Sequence, residues 1–357
     1  MKEKRLVFFS INSFRDFTNV GRDDLVEYFN PGGFFAEVYF LSPYDELGAV
    51  QVANGFTVIG LRPEQYRETI RQIAPDVIRT YGGAGAATFA LANRIPGVPI
   101  AVGVHDTYAP FIHPSLVFAD MVICVSRVVA EAVVKIAHVD PARIRILPDY
   151  INIHKFSLVD HPVIKPDFMR QIEAKIPQGK CILHIGRKVE SKNWDTLVSA
   201  VKLLPEEYYC LLIGRGDEQP IYQLAESLGI RDRVFCLPVI KNSDLINWYA
   251  NCACFCLPSR WEGLGMVFIE AAASGCCIVT ADIPPMNEYF THDKNAYLVK
   301  NGENPYELAA GIAKVCSDAV YRRTLGANAR LAAKEFAPEK INRQASTIYN
   351  ELLLKFT

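Results

Sequence analysis

The chain lacks any apolar run of the ~18 residues that a membrane-spanning helix needs. Its opening residues, Met1-Lys-Glu-Lys-Arg5, pass straight into a short strand-like stretch, without the apolar core and cleavage site expected of a secretory leader. Charge bias is also missing: 38 Lys and Arg stand against 39 Asp and Glu, a formal net charge of -1. Such a balance offers no bulk attraction to nucleic acid or to an anionic membrane. Metal-ligand spacing is absent too. The ten cysteines form no Cys-x-x-Cys pair and have no His at ligand spacing, and no Asp-x-Asp pair occurs, so no metal is expected. Most of the cysteines lie in apolar runs, as Cys252, Cys254 and Cys256 do on one strand face, and read as buried free thiols of a reducing cytoplasm. There is no internal repeat and no low-complexity tract.

What is present is a βα rhythm. At 357 residues, half of them apolar, the chain suits two domains with sizeable cores. Strands are expected at Leu6–Ile11, Glu37–Leu41, Thr57–Ile59, Asp76–Thr80, Ile100–Val104, Met121–Val125 and Arg145–Leu147. Helical patterns fall near Asp23–Phe29, Thr88–Arg94 and Val128–Ala137. Apolar runs without strict alternation indicate strands covered on both faces, hence parallel sheets. Pro148–Pro177, proline-rich and of mixed charge, reads as a linker. A second βα series runs from Cys181 to about Val299, and helices fill the chain from Pro305 onward. The fold class is α/β, with two doubly wound domains facing across a cleft.

Two strand-to-helix loops of the second half carry chemistry. In Arg260-Trp-Glu-Gly-Leu-Gly-Met266, glycines let backbone approach a ligand, and the helix that follows offers its positive end to a phosphate. Glu262 and Glu270 are eight residues apart, at most ~12 Å if helical throughout. They are spaced to hold hydroxyls at the two ends of a sugar–diphosphate–ribose. In His184-Ile-Gly-Arg187-Lys-Val-Glu-Ser-Lys192, Arg187 can fork to a phosphate and Lys192 can add a point charge. Each cluster alone also fits a solvated surface. Both follow strands of one parallel sheet, however, where loops line the ligand crevice.

These segments, with Leu211-Leu-Ile-Gly-Arg-Gly216, Arg233-Val-Phe-Cys-Leu-Pro238 and Asn287-Glu288, resemble the retaining glycosyltransferases of family 4, which have the GT-B fold. The resemblance implies an acceptor-side domain over 1–160 and a donor-binding domain over 161–338, with a terminal helix, 339–357, packing back on the first. It implies that Arg187 and Lys192 hold the diphosphate with Gly186, that Glu262 contacts the transferred sugar and that Glu270 holds the ribose. Backbone around Gly263, Leu264, Gly265 and Met266 would face the phosphates or sugar, and Val239 and Ile240 the base. Pro238 stands where the family has Gly. His105, in Val102-Gly-Val-His-Asp106, matches a His at the donor sugar and completes a catalytic set with Arg187, Lys192 and Glu262. Glu288 matches a position near that sugar. Ser126 matches a strand-end residue that serves equally as a local turn. Gly83, in Tyr81-Gly-Gly-Ala-Gly85, suits an anion, an acceptor group or close helix packing.

Two departures fall on the acceptor side. Asn12–Gly21 has no glycine pair after the first strand, with Arg15 an electrostatic substitute, and Asp149-Tyr150 replaces the family's Asn-Gly. The expected reaction is retaining transfer from a nucleotide-sugar donor to a hydroxyl acceptor, by same-face attack, with no cofactor and no metal. The acceptor is a glycan, a lipid-linked molecule or a small molecule, and no nucleic acid is involved. A cytoplasmic location is expected, compatible with peripheral contact at the inner face of a membrane. An epimerase of the same architecture and a non-catalytic nucleotide-sugar-binding subunit are the alternatives. The base, sugar, linkage and assembly state are not encoded in these motifs.

Overall fold

The computed structural model describes residues 4–356 apart from 11, 20–26, 28, 49, 54, 82, 157–169, 171 and 173. The chain divides into two compact units, Met1–Ile151 with Pro338–Thr357, and Asn152–Ala337.

In the first unit, β1 (Arg5–Ser10), β2 (Glu37–Leu47), β3 (Val50–Ala53), β4 (Phe56–Gly60), β5 (Val77–Tyr81), β6 (Ile100–Val104), β7 (Met121–Cys124) and β8 (Ile144–Ile146) form one sheet. Its order is β3-β4-β2-β1-β5-β6-β7-β8, and only the β3–β4 pair runs antiparallel. Leu6, Val7 and Phe8 are consecutive and fully buried. Since successive side chains point to opposite faces, the sheet is covered on both. Expected strands agree with observed ones to within a residue or two at most ends. β2 continues past Leu41 to Leu47, and β3, a four-residue edge strand beside Gly48 and Gly55, was not expected. The helix expected over Val128–Ala137 is observed as Arg127–Ala137, whereas the one expected over Thr88–Arg94 starts five residues earlier and runs Gly83–Ala92. The helix expected near Asp23–Phe29 lies mostly outside the described residues.

The last helix, Pro338–Leu354, lies on this sheet. Its buried Tyr349 accepts a hydrogen bond from Arg79 on β5. Glu351 takes the Arg145 Nε of β8 at 2.7 Å, and Gln344 donates to the Ile146 carbonyl at 2.6 Å.

In the second unit, β9 (Cys181–Ile185), β10 (Tyr209–Ile213), β11 (Val234–Leu237), β12 (Cys254–Leu257), β13 (Ile278–Ala281) and β14 (Tyr297–Val299) are all parallel, in the order β11-β10-β9-β12-β13-β14. The chain starts in the middle with β9, runs outward to β11, then returns to lay β12 on the other side of β9. The order therefore reverses between β9 and β12, and a ligand crevice opens at the carboxyl ends of those two strands. The core on one face combines Cys210, Cys254, Cys256 and Cys277 with Leu197, Val201, Leu308 and Ile312. Small thiols on the strands leave room for branched helix side chains at interior packing density. All ten cysteines are free, nine of them buried. Among the described residues no helix is long and apolar enough to cross a membrane.

Candidate functional site

The site of the second unit is built from the two loops at the point of reversal. After β9, Gly186–Asn193 leads into the helix Trp194–Lys202; after β12, Pro258–Gly265 leads into the helix Met266–Ala273. The loops are sewn together by buried polar bonds. Asn193, in the left-handed conformation at φ +50°, donates to the carbonyls of Pro258 and Gly302, each at 2.8 Å. The Arg260 amide donates to Ser191 O at 2.8 Å, and its guanidinium grips both Asp195 oxygens at 3.1 and 2.8 Å. Bidentate grip fixes direction as well as distance. Asn193, Arg260 and Asp195 thus set the loop geometry. The sequence reading gave none of them a role, because their partners lie 65 or more residues away.

On this frame Lys192 Nζ lies 2.5 Å from Glu262 Oε1, which also accepts from Ser259 Oγ at 2.9 Å. The two charged side chains are 15% and 6% exposed. Residues expected to meet different parts of a ligand are therefore ion-paired with each other. Arg187 projects exposed from the same loop, its guanidinium unpaired among the described residues. The next residue, Lys188, is buried and was not expected to matter. It donates to the Gly214 and Leu237 carbonyls that end β10 and β11, and so fastens strand ends rather than facing solvent.

Beneath Lys192 lies His184, fully buried on β9. Burial pushes its pKa down to about 4, with the lysines nearby adding to the effect, so the imidazole is neutral at pH 7. Gly214 keeps the loops close: a Cβ there would stand 2.0 Å from the Gly186 carbonyl oxygen.

Glu270 is 4% exposed on the helix Met266–Ala273, and Tyr249 Oη donates to its Oε2 at 3.3 Å. Burial, reinforced by this carboxylate, raises the Tyr249 pKa well above its ordinary value, so the phenol stays a donor. Gly265 precedes the helix at φ +74° with no side-chain cap, and a Cβ there would meet Phe268 at 2.7 Å. The positive end of the helix thus opens directly from the loop, at a residue with no side chain of its own to cap it. Gly263 and Leu264 are buried, and Met266 is half-buried. After β11, Val239 is exposed and Ile240 buried. Glu288 is exposed on the short helix Met286–Tyr289 after β13.

In the first unit the candidates also gather at the carboxyl ends of strands. Arg15 is exposed on the helix Phe14–Asn19 after β1, and Gly83 opens the helix after β5 beside residue 82, outside the described set. Ser126, after β7, accepts from the Val129 amide at 3.4 Å and caps the helix Arg127–Ala137. His105, directly after β6, lies under the Tyr81 ring at 4.1 Å between centroids. Its Nδ1 is 3.0 Å from Asp149 Oδ1, an oblique approach in which neither ring nitrogen makes a straight hydrogen bond. Nε2 lies beside Gly103, where a Cβ would sit 2.9 Å from it. Asp149, noted in the sequence only as a departure, is therefore the neighbour of His105. Among the described residues no three His, Cys, Asp or Glu side chains are grouped to hold a metal ion.

Two family models match the chain: Glycosyltransferase Family 4 over residues 45–155 and Glycosyl transferases group 1 over residues 166–332. Among curated relatives, a D-inositol 3-phosphate glycosyltransferase of Xylanimonas cellulosilytica is 28% identical over 228 residues, 61% of this chain and 54% of that protein. An uncharacterised glycosyltransferase of Methanocaldococcus jannaschii is 27% identical over 64% of this chain and 59% of its own length. The matches thus span little more than half of these relatives. Among solved structures, Anabaena HepE in complex with UDP and glucose superposes with a TM-score of 0.78 at 19% identity, covering 98% of this chain and 100% of that one. Sucrose-phosphate synthase of Thermosynechococcus elongatus gives 0.78 at 18% identity, over 99% and 100%. Both likenesses are of fold, and the fold is GT-B. The two models match successive stretches, Family 4 running through most of the first unit to the opening residues of the second and group 1 lying within the second. Together they cover most of the chain, which belongs to glycosyltransferase family 4, the glycosyl transferases group 1.

Proposed function

We propose that the protein is a retaining glycosyltransferase, moving a sugar from a nucleotide-sugar donor to a hydroxyl acceptor without a metal ion. The observation that carries this reading is the Lys192–Glu262 pair at the strand-order reversal, with the unpaired Arg187 guanidinium on the same loop. A diphosphate placed over the N-terminus of the helix Met266–Ala273 takes Arg187 and Lys192 as its cations. Glu262, relieved of part of its bond to Lys192, then accepts from sugar hydroxyls. Glu270, held by Tyr249, accepts from the ribose.

The barrier is departure of the diphosphate from an oxocarbenium-like carbon. Fixed positive charge that meets the leaving oxygen as it becomes anionic lowers that barrier. The sugar–phosphate C–O bond breaks, and the acceptor oxygen bonds to the same face. The acceptor proton passes to the departing phosphate oxygen. Glu262 and Glu270 are both engaged by neighbours, so neither is assigned as a covalent nucleophile. His105 is assigned to the donor sugar. Ten unbridged thiols suit a reducing cytoplasm, a location compatible with peripheral contact at the inner face of a membrane.

The test is a thermal-shift screen of UDP-, GDP-, ADP- and dTDP-sugars, UDP-sugars first because solved structural neighbours hold UDP and UDP-glucose. A donor at a hundredfold excess over its Kd adds ~2.7 kcal/mol of apparent stability. The identified donor is then turned over with chelator present, and the product anomer is read by NMR. An inverted anomer removes the retaining assignment, loss of turnover in chelator removes metal independence, and the absence of any stabilising donor removes the whole reading.

A further inference from the structure

A surface turn of the first unit carries aromatic side chains that the donor chemistry leaves unused. β6 runs on as His105-Asp-Thr-Tyr108-Ala-Pro-Phe111 from the carboxyl edge of the sheet. Tyr108 and Phe111 are 48% and 45% exposed, with ring centroids 5.4 Å apart at 71°. The turn that presents them is fixed from below. The Tyr108 amide bonds Asp106 Oδ1 at 2.9 Å, Phe111 N bonds Tyr108 O at 2.9 Å, and Ile112 is buried. The turn packs on the helix Gly83–Ala92, which starts from the neighbouring strand β5 and contains no charged residue. Two half-exposed rings thus lie beside a small-residue helix, at the sheet edge that also carries His105.

Charge narrows what fits there. From His105 to Phe118 the sequence has no Lys or Arg, and Asp106 is its only carboxylate. Two basic side chains on flanking elements are committed elsewhere, and Arg127 stands apart at the start of the helix after β7. Arg94 pairs with Asp120 at 2.9 Å, and Arg143 donates to Val117 O at 2.7 Å. Both lie toward the amino edge, where Asp120 takes the amide of Ile100, the first residue of β6. A phosphorylated ligand needs forked or point cations, and an anionic bilayer needs a basic cluster. The turn supplies neither.

We propose that Tyr108 and Phe111 form the acceptor platform, and that the acceptor is a neutral saccharide. Its C–H ring face lies on one ring while the other, set at 71° to it, bounds the sugar's edge, and its hydroxyls reach the Asp106 carboxylate. This rests on the transferase reading and names the substrate class for it.

The experiment compares neutral oligosaccharides, the corresponding sugar phosphates, and phosphatidylcholine–phosphatidylglycerol vesicles as partners of the wild-type protein and of Tyr108→Ala, Phe111→Ala and the double variant. Each single change is expected to raise the acceptor KM for a neutral saccharide roughly three- to tenfold, the worth of one aromatic contact. Nucleotide affinity stays within twofold. Direct saccharide titration by calorimetry, without donor, should lose the same factor, so the platform is decided even if no donor is found and the transferase reading fails. An unchanged acceptor KM and saccharide affinity in the double variant overturns the proposal. So does preference for the sugar phosphate, or vesicle binding that the two substitutions abolish.

Discussion

Replacing Lys192 with Met removes one half of a nearly dry ion pair. Across 2.5 Å the gross attraction is about 7 kcal/mol at an effective dielectric of about 20. Desolvating two ions offsets most of it, so the intact pair is close to neutral for stability. Removing one partner is a different matter, because Glu262 then keeps only the Ser259 hydroxyl in a site where its side chain is 6% exposed. An uncompensated buried charge of this kind costs about 3–5 kcal/mol. Glu262→Gln should cost less, since the amide can still accept from Ser259. The double variant, which buries no charge, should recover much of the Lys192→Met loss. All three tryptophans, Trp194, Trp248 and Trp261, lie in the second unit. Emission during urea unfolding therefore follows that unit alone, and the cycle yields a coupling of about 2 kcal/mol or more. Additive single losses would show that the pair is not coupled, and the picture of a preassembled donor site would go with it.

Arg187→Ala should leave urea stability within about 0.5 kcal/mol, since the side chain is exposed and unpaired among the described residues. Turnover should fall roughly 100- to 1000-fold, as for loss of a transition-state donor; wild-type turnover with the true donor would refute its role. Glu270→Ala should weaken binding of the bare nucleotide, measured by calorimetry without any sugar, and unchanged affinity would refute the ribose assignment. His184, with a folded pKa of about 4 against an ordinary 6.5, takes its proton more readily unfolded. Its contribution to stability is complete above pH 6.5 and is lost as pH falls toward 4, by about 3 kcal/mol over that window. His184→Leu should flatten that part of the pH–stability curve, and an unaltered slope would show that the imidazole is not held neutral.

The strands were legible because each is a short, unbroken apolar run, and a run without alternation can only be covered on both faces. Cys181–Ile185 and Cys254–Leu257 announce themselves in this way. β3 did not, since Val50-Gln-Val-Ala is brief and lies at a sheet edge. Strand order left no trace in periodicity: nothing in the pattern of β12 says that it returns to pair with β9 rather than extending past β11. Ser126 was readable either way, and its hydroxyl accepts the Val129 amide at the start of the following helix.

The motifs named the chemical groups of the site, while the pairings between them came from long-range geometry. Lys192 and Glu262 are 70 residues apart, and only the reversal of strand order brings their loops together. Lys188 reads like Arg187 and Lys192 in sequence. A single-residue difference in direction turns it inward to two carbonyls, whereas Arg187 faces outward. The same holds for Asp149, whose place beside His105 follows from β8 lying two strands from β6 in the sheet. A loop cation in such a sheet therefore takes its function from where its backbone points it. Buried strand-end carbonyls claim one lysine, a buried glutamate claims the next, and the exposed arginine is the charge left to meet a ligand.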